Sequence, residues 1–123
     1  MEFVIKKCLK CGAIIEVLND CNCQNCGIKC CGENMIAIKP NSVDASFEKH
    51  VPTYEIKGGK IYAKVNHVME EEHYIRWICF VSENKIEKVI LKPNQKPEAV
   101  FDYKKGTLYA YCNKHSLWQC EVI

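Results

Sequence analysis

Tyr74-Ile75-Arg76-Trp77-Ile78-Cys79-Phe80-Val81-Ser82 is the stretch whose reading decides the fold. It is dense in aromatic and β-branched side chains, which suit a pleated, half-buried surface. Glu83-Asn84 reads as a turn, and Lys85 to Leu91 as the strand that returns from it. Upstream, Val51 to Lys57 and Lys60 to Val65 flank Gly58-Gly59. Two glycines between strands signal a two-residue hairpin, because the favoured turns need positive φ. Downstream, Pro93 to Pro97 is a loop, and Ala99 to Tyr103, Thr107 to Cys112 and Leu117 to Val122 are three further strands. Lys105-Gly106 and the Cys112–His115 turn separate them. About seven short strands with almost no helical periodicity predict an immunoglobulin-like β-sandwich. Ser46 to His50 is a short helical turn or a loop.

The first part of the chain reads differently. Seven of the ten cysteines lie between Cys8 and Cys31. In a reducing compartment such clusters are more often metal ligands than disulfides. Cys8-Leu9-Lys10-Cys11-Gly12 is a C-x-x-C-G knuckle, and Cys30-Cys31-Gly32 supplies a second pair of thiols. Ala13 to Leu18 and Met35 to Ile38 read as short strands, with a polar loop from Asn19 to Gly27 that carries Cys21, Cys23 and Cys26. The expected organisation is a mainly β chain in two domains. Residues 1–38 form a small metal-binding knuckle, and residues 39–123 form the sandwich, with the change of composition near Pro40-Asn41-Ser42.

A net charge of +2 gives no general electrostatic reason to expect nucleic acid or an anionic membrane as partner. The best apolar run, Trp77 to Val81, is far too short to span a bilayer. Met1 to Lys7 lacks the apolar stretch of a signal peptide. The expectation is a cytoplasmic protein.

The four histidines are His50, His67, His73 and His115. His67 and His73 flank a loop of acids, Cys112 and His115 share one C-x-x-H turn, and His50 stands at the entry to a strand. Sandwich loops cluster at the ends of the sheets, so one site built from three inter-strand loops is geometrically plausible. A lone histidine is more often a surface or satisfied core residue, and a lone Cys112 would pass as a small buried hydrophobe. Taken jointly, imidazoles and a thiolate are good ligands for late first-row metals. Glu70-Glu71-Glu72 alone reads as a solvated acidic face.

These residues, in this order, resemble the superoxide reductases, and the two-part layout resembles their two-iron form, the desulfoferrodoxins. The matching stretches are Glu48-Lys49-His50-Val51-Pro52, His67 with five residues before His73-Tyr74-Ile75, Leu91-Lys92-Pro93, and Ala110-Tyr111-Cys112-Asn113 with His115 and Leu117-Trp118. At the N-terminus they are Cys8-x-x-Cys11-Gly12 and Cys30-Cys31-Gly32. The resemblance implies ferrous iron held in a plane by His50, His67, His73 and His115. The Cys112 thiolate would be axial and the opposite position open to superoxide, which is reduced by one electron to hydrogen peroxide. It implies a second iron in Cys8, Cys11, Cys30 and Cys31, in a desulforedoxin- or rubredoxin-like knuckle. It also implies a homodimer and a rubredoxin-like electron donor. Five ligands exceed the four-coordinate closed site that zinc prefers, whereas a five-coordinate site with a vacancy suits a redox-active iron.

In that setting Lys49 would draw the superoxide anion and hydrogen-bond the product. Glu48 would close the open position of the oxidised iron. As a bare sequence feature, the two are an exposed charge pair of little energetic worth. Cys21, Cys23 and Cys26 exceed what the N-terminal site needs. They are spectators, or replace a ligand, or help to hold an iron–sulfur cluster. Cys8-x-x-Cys11 with Cys23-x-x-Cys26 also reads as a zinc-ribbon pair. Two other functions stay open at this level: a zinc-ribbon and β-sandwich interaction protein, and a pure electron carrier with a saturated iron. Cys79 and Cys120 fall in strand patterns and read as packing residues.

Overall fold

The computed structural model describes residues 2–123 as two compact units, Glu2–Lys39 and Pro40–Ile123. Every regular element among the described residues is a strand, and no helix among them is long and apolar enough to cross a membrane.

In Glu2–Lys39, β1 (Val4–Lys7) is the middle strand of a three-stranded sheet. β2 (Ile14–Val17) pairs with it on one side and β5 (Ile36–Ala37) on the other. The remaining pair, β3 (Lys29–Cys30) and β4 (Glu33–Asn34), is a two-residue ladder closed by Cys31-Gly32. Both turn residues have positive φ, 54° and 77°, which is what a tight hairpin of this kind demands. Only Ile5, Cys8 and Met35 are buried in this unit. That is little apolar burial for a self-supporting core.

Pro40–Ile123 is the predicted sandwich, with its seven strands in two antiparallel sheets. One sheet has the order β10-β7-β6, from β10 (Glu98–Asp102), β7 (Lys60–Lys64) and β6 (Thr53–Lys57). The other has the order β12-β11-β8-β9, from β12 (Ser116–Val122), β11 (Gly106–Cys112), β8 (Ile75–Ser82) and β9 (Lys85–Ile90). Gly58 and Gly59 turn β6 into β7 with φ of 56° and 75°. β7 and β10 alternate exposed and buried residues along their length, the period-2 signature of a sheet with one solvated face. Their inner residues Ile61, Ala63, Ala99 and Phe101 meet Ile78, Phe80, Leu108, Ala110 and Val122 of the other sheet in one core. Phe80 and Phe101 touch across it with ring centroids 5.6 Å apart. Gly106 must be glycine, since a Cβ there would lie 2.4 Å from the Val81 carbonyl oxygen.

Two features of this sheet prepare the functional end. β8 carries a bulge: Tyr111 faces Trp77, yet Cys112 faces Ile75, so Arg76 is the extra residue. β11 and β12 are joined by a three-residue loop in which Cys112 pairs with Ser116, and Ser116 takes a left-handed φ of 69°. Ser46 to Val51 forms a hydrogen-bonded turn, with the Lys49 amide donating to Ser46 O and the Val51 amide to Phe47 O.

Candidate metal centres

His50, His67, His73, Cys112 and His115 converge, with one ligand atom from each lying within 4.8 Å of all the others. Each comes from a different kind of support. His50 ends the Ser46–Val51 turn, and Cys112 closes β11. His115 lies in the three-residue loop that follows it. His67 leaves β7 through a tight turn in which its amide donates to Val65 O at 2.9 Å. His73 is locked by reciprocal bonds with Glu70, amide to carbonyl in both directions.

The imidazoles form a closed ring of neighbours. His50 meets His67, His67 meets His73, His73 meets His115, and His115 meets His50, with centroids 4.6–5.1 Å apart and planes 68–87° apart. Cys112 joins this ring from the core side: it is fully buried, with Sγ 3.4 Å from His67 Nε2 and 3.8 Å from His115 Nδ1.

Hydrogen bonds fix which nitrogen faces inward. His50 Nδ1–H donates to Ser46 O at 2.7 Å, and His67 Nδ1–H donates to Val68 O. Both therefore present a bare Nε2, the usual arrangement for a metal-binding histidine. Burial lowers the pKa of His50, His67 and His73, so all three favour the neutral, ligating form. For His50 the Ser46 bond opposes this, while the charges of His115 and Lys49 add to it. Burial raises the Cys112 pKa, against amides of Lys114 and His115 that hydrogen-bond the sulfur and favour the thiolate. The His115 amide reaches Sγ at 3.3 Å.

The donor set fits a cation. His50 Nε2 and His115 Nδ1 lie 3.1 Å apart, two nitrogens directed at one point. His73 Nε2 is buried with no hydrogen-bond partner among the described residues. A buried polar atom without a partner is costly, and a shared metal resolves both.

Two residues position this set and carried no role at the sequence level. Trp118, wholly buried, stacks on His50 at 4.9 Å and donates from Nε1 to the His115 carbonyl at 2.8 Å, with Phe47 edge-on behind it. Asn113 accepts from the Tyr74 amide at 3.0 Å and donates to Glu72 O at 2.9 Å, fastening the His73 loop to the Cys112–His115 turn. Both stand in stretches that match the family, Ala110 to Asn113 and Leu117-Trp118, which assigned neither a task. Glu48 and Lys49 do not join the five donors. Both are exposed on the turn before His50, and Glu48 lines a surface cleft of about 510 Å³ with Lys64, Lys96 and Glu98.

In the other unit, Cys8, Cys11, Cys30 and Cys31 form the second convergent set. Cys11 and Cys30 sulfurs are 3.6 Å apart, and those of Cys30 and Cys31 are 3.9 Å apart. The Cys11 amide donates to Cys8 Sγ and draws that thiol down to about 6, whereas crowding by Cys11, Cys8 and Cys31 pushes Cys30 up to about 12. One thiol ionises readily and the next resists, because four thiolates repel one another until a cation neutralises them. Cys23 and Cys26 are joined to each other and lie outside this set. Cys79 is fully buried and Cys120 packs against the core, where burial raises its thiol to about 11.

An all-β chain with a four-thiol knuckle and a five-donor histidine–thiolate set defines a metalloprotein with two centres of different chemistry. The sequence profile of the Desulfoferrodoxin family matches residues 42–121. A desulfoferrodoxin of Desulfarculus baarsii is 42% identical over 125 residues, covering 95% of this chain and 94% of the relative. A desulfoferrodoxin homolog of Archaeoglobus fulgidus is 39% identical over 120 residues, covering 94% of each. Among solved structures, the superoxide reductase of Treponema pallidum superposes with a TM-score of 0.74 at 27% identity, covering 98% of this chain and 99% of that one. The chain belongs to the desulfoferrodoxin family.

Proposed function

We propose that this chain is a superoxide reductase, converting superoxide to hydrogen peroxide with one electron and two protons, in the removal of reactive oxygen. The observation that carries this reading is the closed ring of four imidazoles with Cys112 on its core side. His50, His67, His73, His115 and Cys112 would hold ferrous iron, which would supply the single electron to the substrate. Cys8, Cys11, Cys30 and Cys31 would hold a second iron. The Treponema pallidum protein, whose full length this chain matches, is named a superoxide reductase, which supports the same assignment here.

The chain's own residues divide the work. Neutral imidazoles and a thiolate supported by the Lys114 and His115 amides supply the electron-rich donor set. Trp118 keeps His50 and His115 in place from the core side. Lys49, exposed beside His50, presents an ammonium that attracts the superoxide anion and can hand a proton to the departing product, with solvent supplying the other. Glu48, exposed on the same turn, would offer a carboxylate to the iron after turnover. A rubredoxin-like carrier returns the electron, and the protein works as a cytoplasmic homodimer without a nucleic-acid or membrane partner.

The test is stoichiometry. Ferrous protein mixed with a limited pulse of superoxide is expected to yield one peroxide per superoxide and no dioxygen. One dioxygen for every two superoxides would indicate dismutation, and no reaction would indicate an electron carrier or a zinc protein. Lys49→Ala is expected to slow the bimolecular step about tenfold and flatten its dependence on ionic strength. An unchanged rate with an unchanged salt slope would remove the steering role.

A further inference from the structure

The loop from Asp20 to Gly27 holds three cysteines that neither metal site uses: Cys21, Cys23 and Cys26 are all exposed and outside both donor sets. Cys23 and Cys26 form a C-x-x-C pair, joined as a disulfide with Cα atoms 5.7 Å apart, near the commonest spacing for such a bond. The backbone is shaped for it. Asn25 adopts a left-handed φ of 60°, which folds the chain back so that the Cys26 sulfur sits 3.1 Å from the Cys23 carbonyl. The loop also has a fixed root: Asp20 takes the Lys6 ammonium at 2.9 Å and the Cys21 amide at 2.9 Å. An exposed pair on a short, anchored loop can open and close without moving Cys8, Cys11, Cys30 or Cys31. Disulfides in reducing compartments are usually transient, redox-active ones.

We propose that Cys23 and Cys26 form a dithiol–disulfide couple that consumes hydrogen peroxide and is reset by a dithiol protein. The pairing with the chain's activity rests on the superoxide reductase reading, because peroxide is the product released there. In the oxidising half, one thiolate attacks a peroxide oxygen. The O–O bond breaks, hydroxide leaves and is protonated to water, and the sulfur becomes a sulfenic acid. The second thiolate then attacks that sulfur, the S–O bond breaks, and the oxygen leaves as a second water. Two thiols lose two electrons and one peroxide gains them. In the reducing half, a thiolate of a thioredoxin-class donor attacks the Cys23–Cys26 bond. Its partner thiol resolves the mixed disulfide, leaving the donor oxidised and both cysteines reduced.

The experiment uses the full chain, purified without oxygen with both metal sites loaded and its thiols reduced. Peroxide itself is added at one equivalent, so failure of the superoxide reaction would not affect the outcome. Samples are alkylated over time, and the peptide covering residues 11–29 is weighed. The expected result is loss of two hydrogens from that peptide, located to Cys23 and Cys26, at least about tenfold faster than alkylation is lost at buried Cys79. Thioredoxin-class protein restores both thiols. The double variant Cys23→Ser, Cys26→Ser abolishes the fast phase and keeps the metal content of the parent. Retention of both thiols while peroxide disappears would overturn the proposal. So would loss of N-terminal metal in the double variant, which would make these residues ligands.

Discussion

The two units solve the same problem, holding several metal donors together, by opposite means. In Pro40–Ile123 the donors hang from loops at the end of a packed sandwich. Phe80, Ile61, Ile75, Ile78, Leu108 and Trp118 are all fully buried there. In Glu2–Lys39 only Ile5, Cys8 and Met35 are buried, and one of those three is itself a donor. The scaffold therefore precedes the site in the first case, and the site supplies the scaffold in the second. The sandwich should exist without its metal, whereas the knuckle should not.

The largest expected effect breaks the knuckle. Cys8→Ser removes a buried donor from a unit whose folding free energy comes from its metal, of order 10 kcal/mol for small thiolate sites. Protection against amide hydrogen exchange should collapse across residues 4–37 and persist across residues 75–82. Equal protection in both would mean that the unit folds without its metal.

The reverse break targets the core. Phe80→Ala should cost the sandwich about 3–5 kcal/mol, read as a lower urea midpoint for β8 and β11, with exchange in residues 4–37 unaltered. A midpoint shift of the same size in both units would contradict their independence.

A milder change sharpens the comparison at the site itself. Trp118→Phe keeps an aromatic ring on His50 but removes the Nε1–H that reaches the His115 carbonyl. Iron affinity of the histidine site should fall roughly tenfold or more, as for other partners behind metal ligands. The thiolate site should be unaffected, and separate visible spectra of the two ferric centres would report each.

The smallest effect is in pH. Burial holds the His50, His67 and His73 pKa values below the ordinary range, so in the folded state these rings stay neutral further into acid than free histidine. The unfolded chain takes up those protons first, from about pH 6.5 downward. For the metal-free sandwich, stability is therefore full above that pH and declines as pH falls below it. Thermal melts of metal-free protein between about pH 7.5 and about pH 5 should show this slope. It should be absent when three of the histidines are replaced by glutamine.

Much of the sandwich was legible because its signals are local. Period-2 alternation in Lys60 to Val65 and the Gly58-Gly59 turn each report on their own few residues. The β3–β4 ladder was not, because two-residue strands have no periodicity to read. Nor was the bulge at Arg76, which exists only in the register between β8 and β11. For the site, the residue types were visible but not their convergence. His50 and His115 are 65 positions apart and meet at 3.1 Å; the clustering of sandwich loops made one shared site plausible, and resemblance to a family selected it. Trp118 stood in a stretch that matches the family, but its task depends on where the His115 carbonyl points, which no local pattern records. Near Cys23 and Cys26 the sequence left ligand, cluster and spectator roles open, and their pairing with each other, outside the Cys8, Cys11, Cys30 and Cys31 set, could not be read from spacing.

The most direct measurement is iron, zinc and acid-labile sulfide per chain in protein purified without oxygen, for the parent and for His67→Gln. About two irons and no sulfide are expected in the parent, with loss of one iron and the thiolate iron intact in the variant. Zinc in the histidine site of protein made in iron-replete cells, or sulfide in proportion to iron, would contradict the two-iron reading.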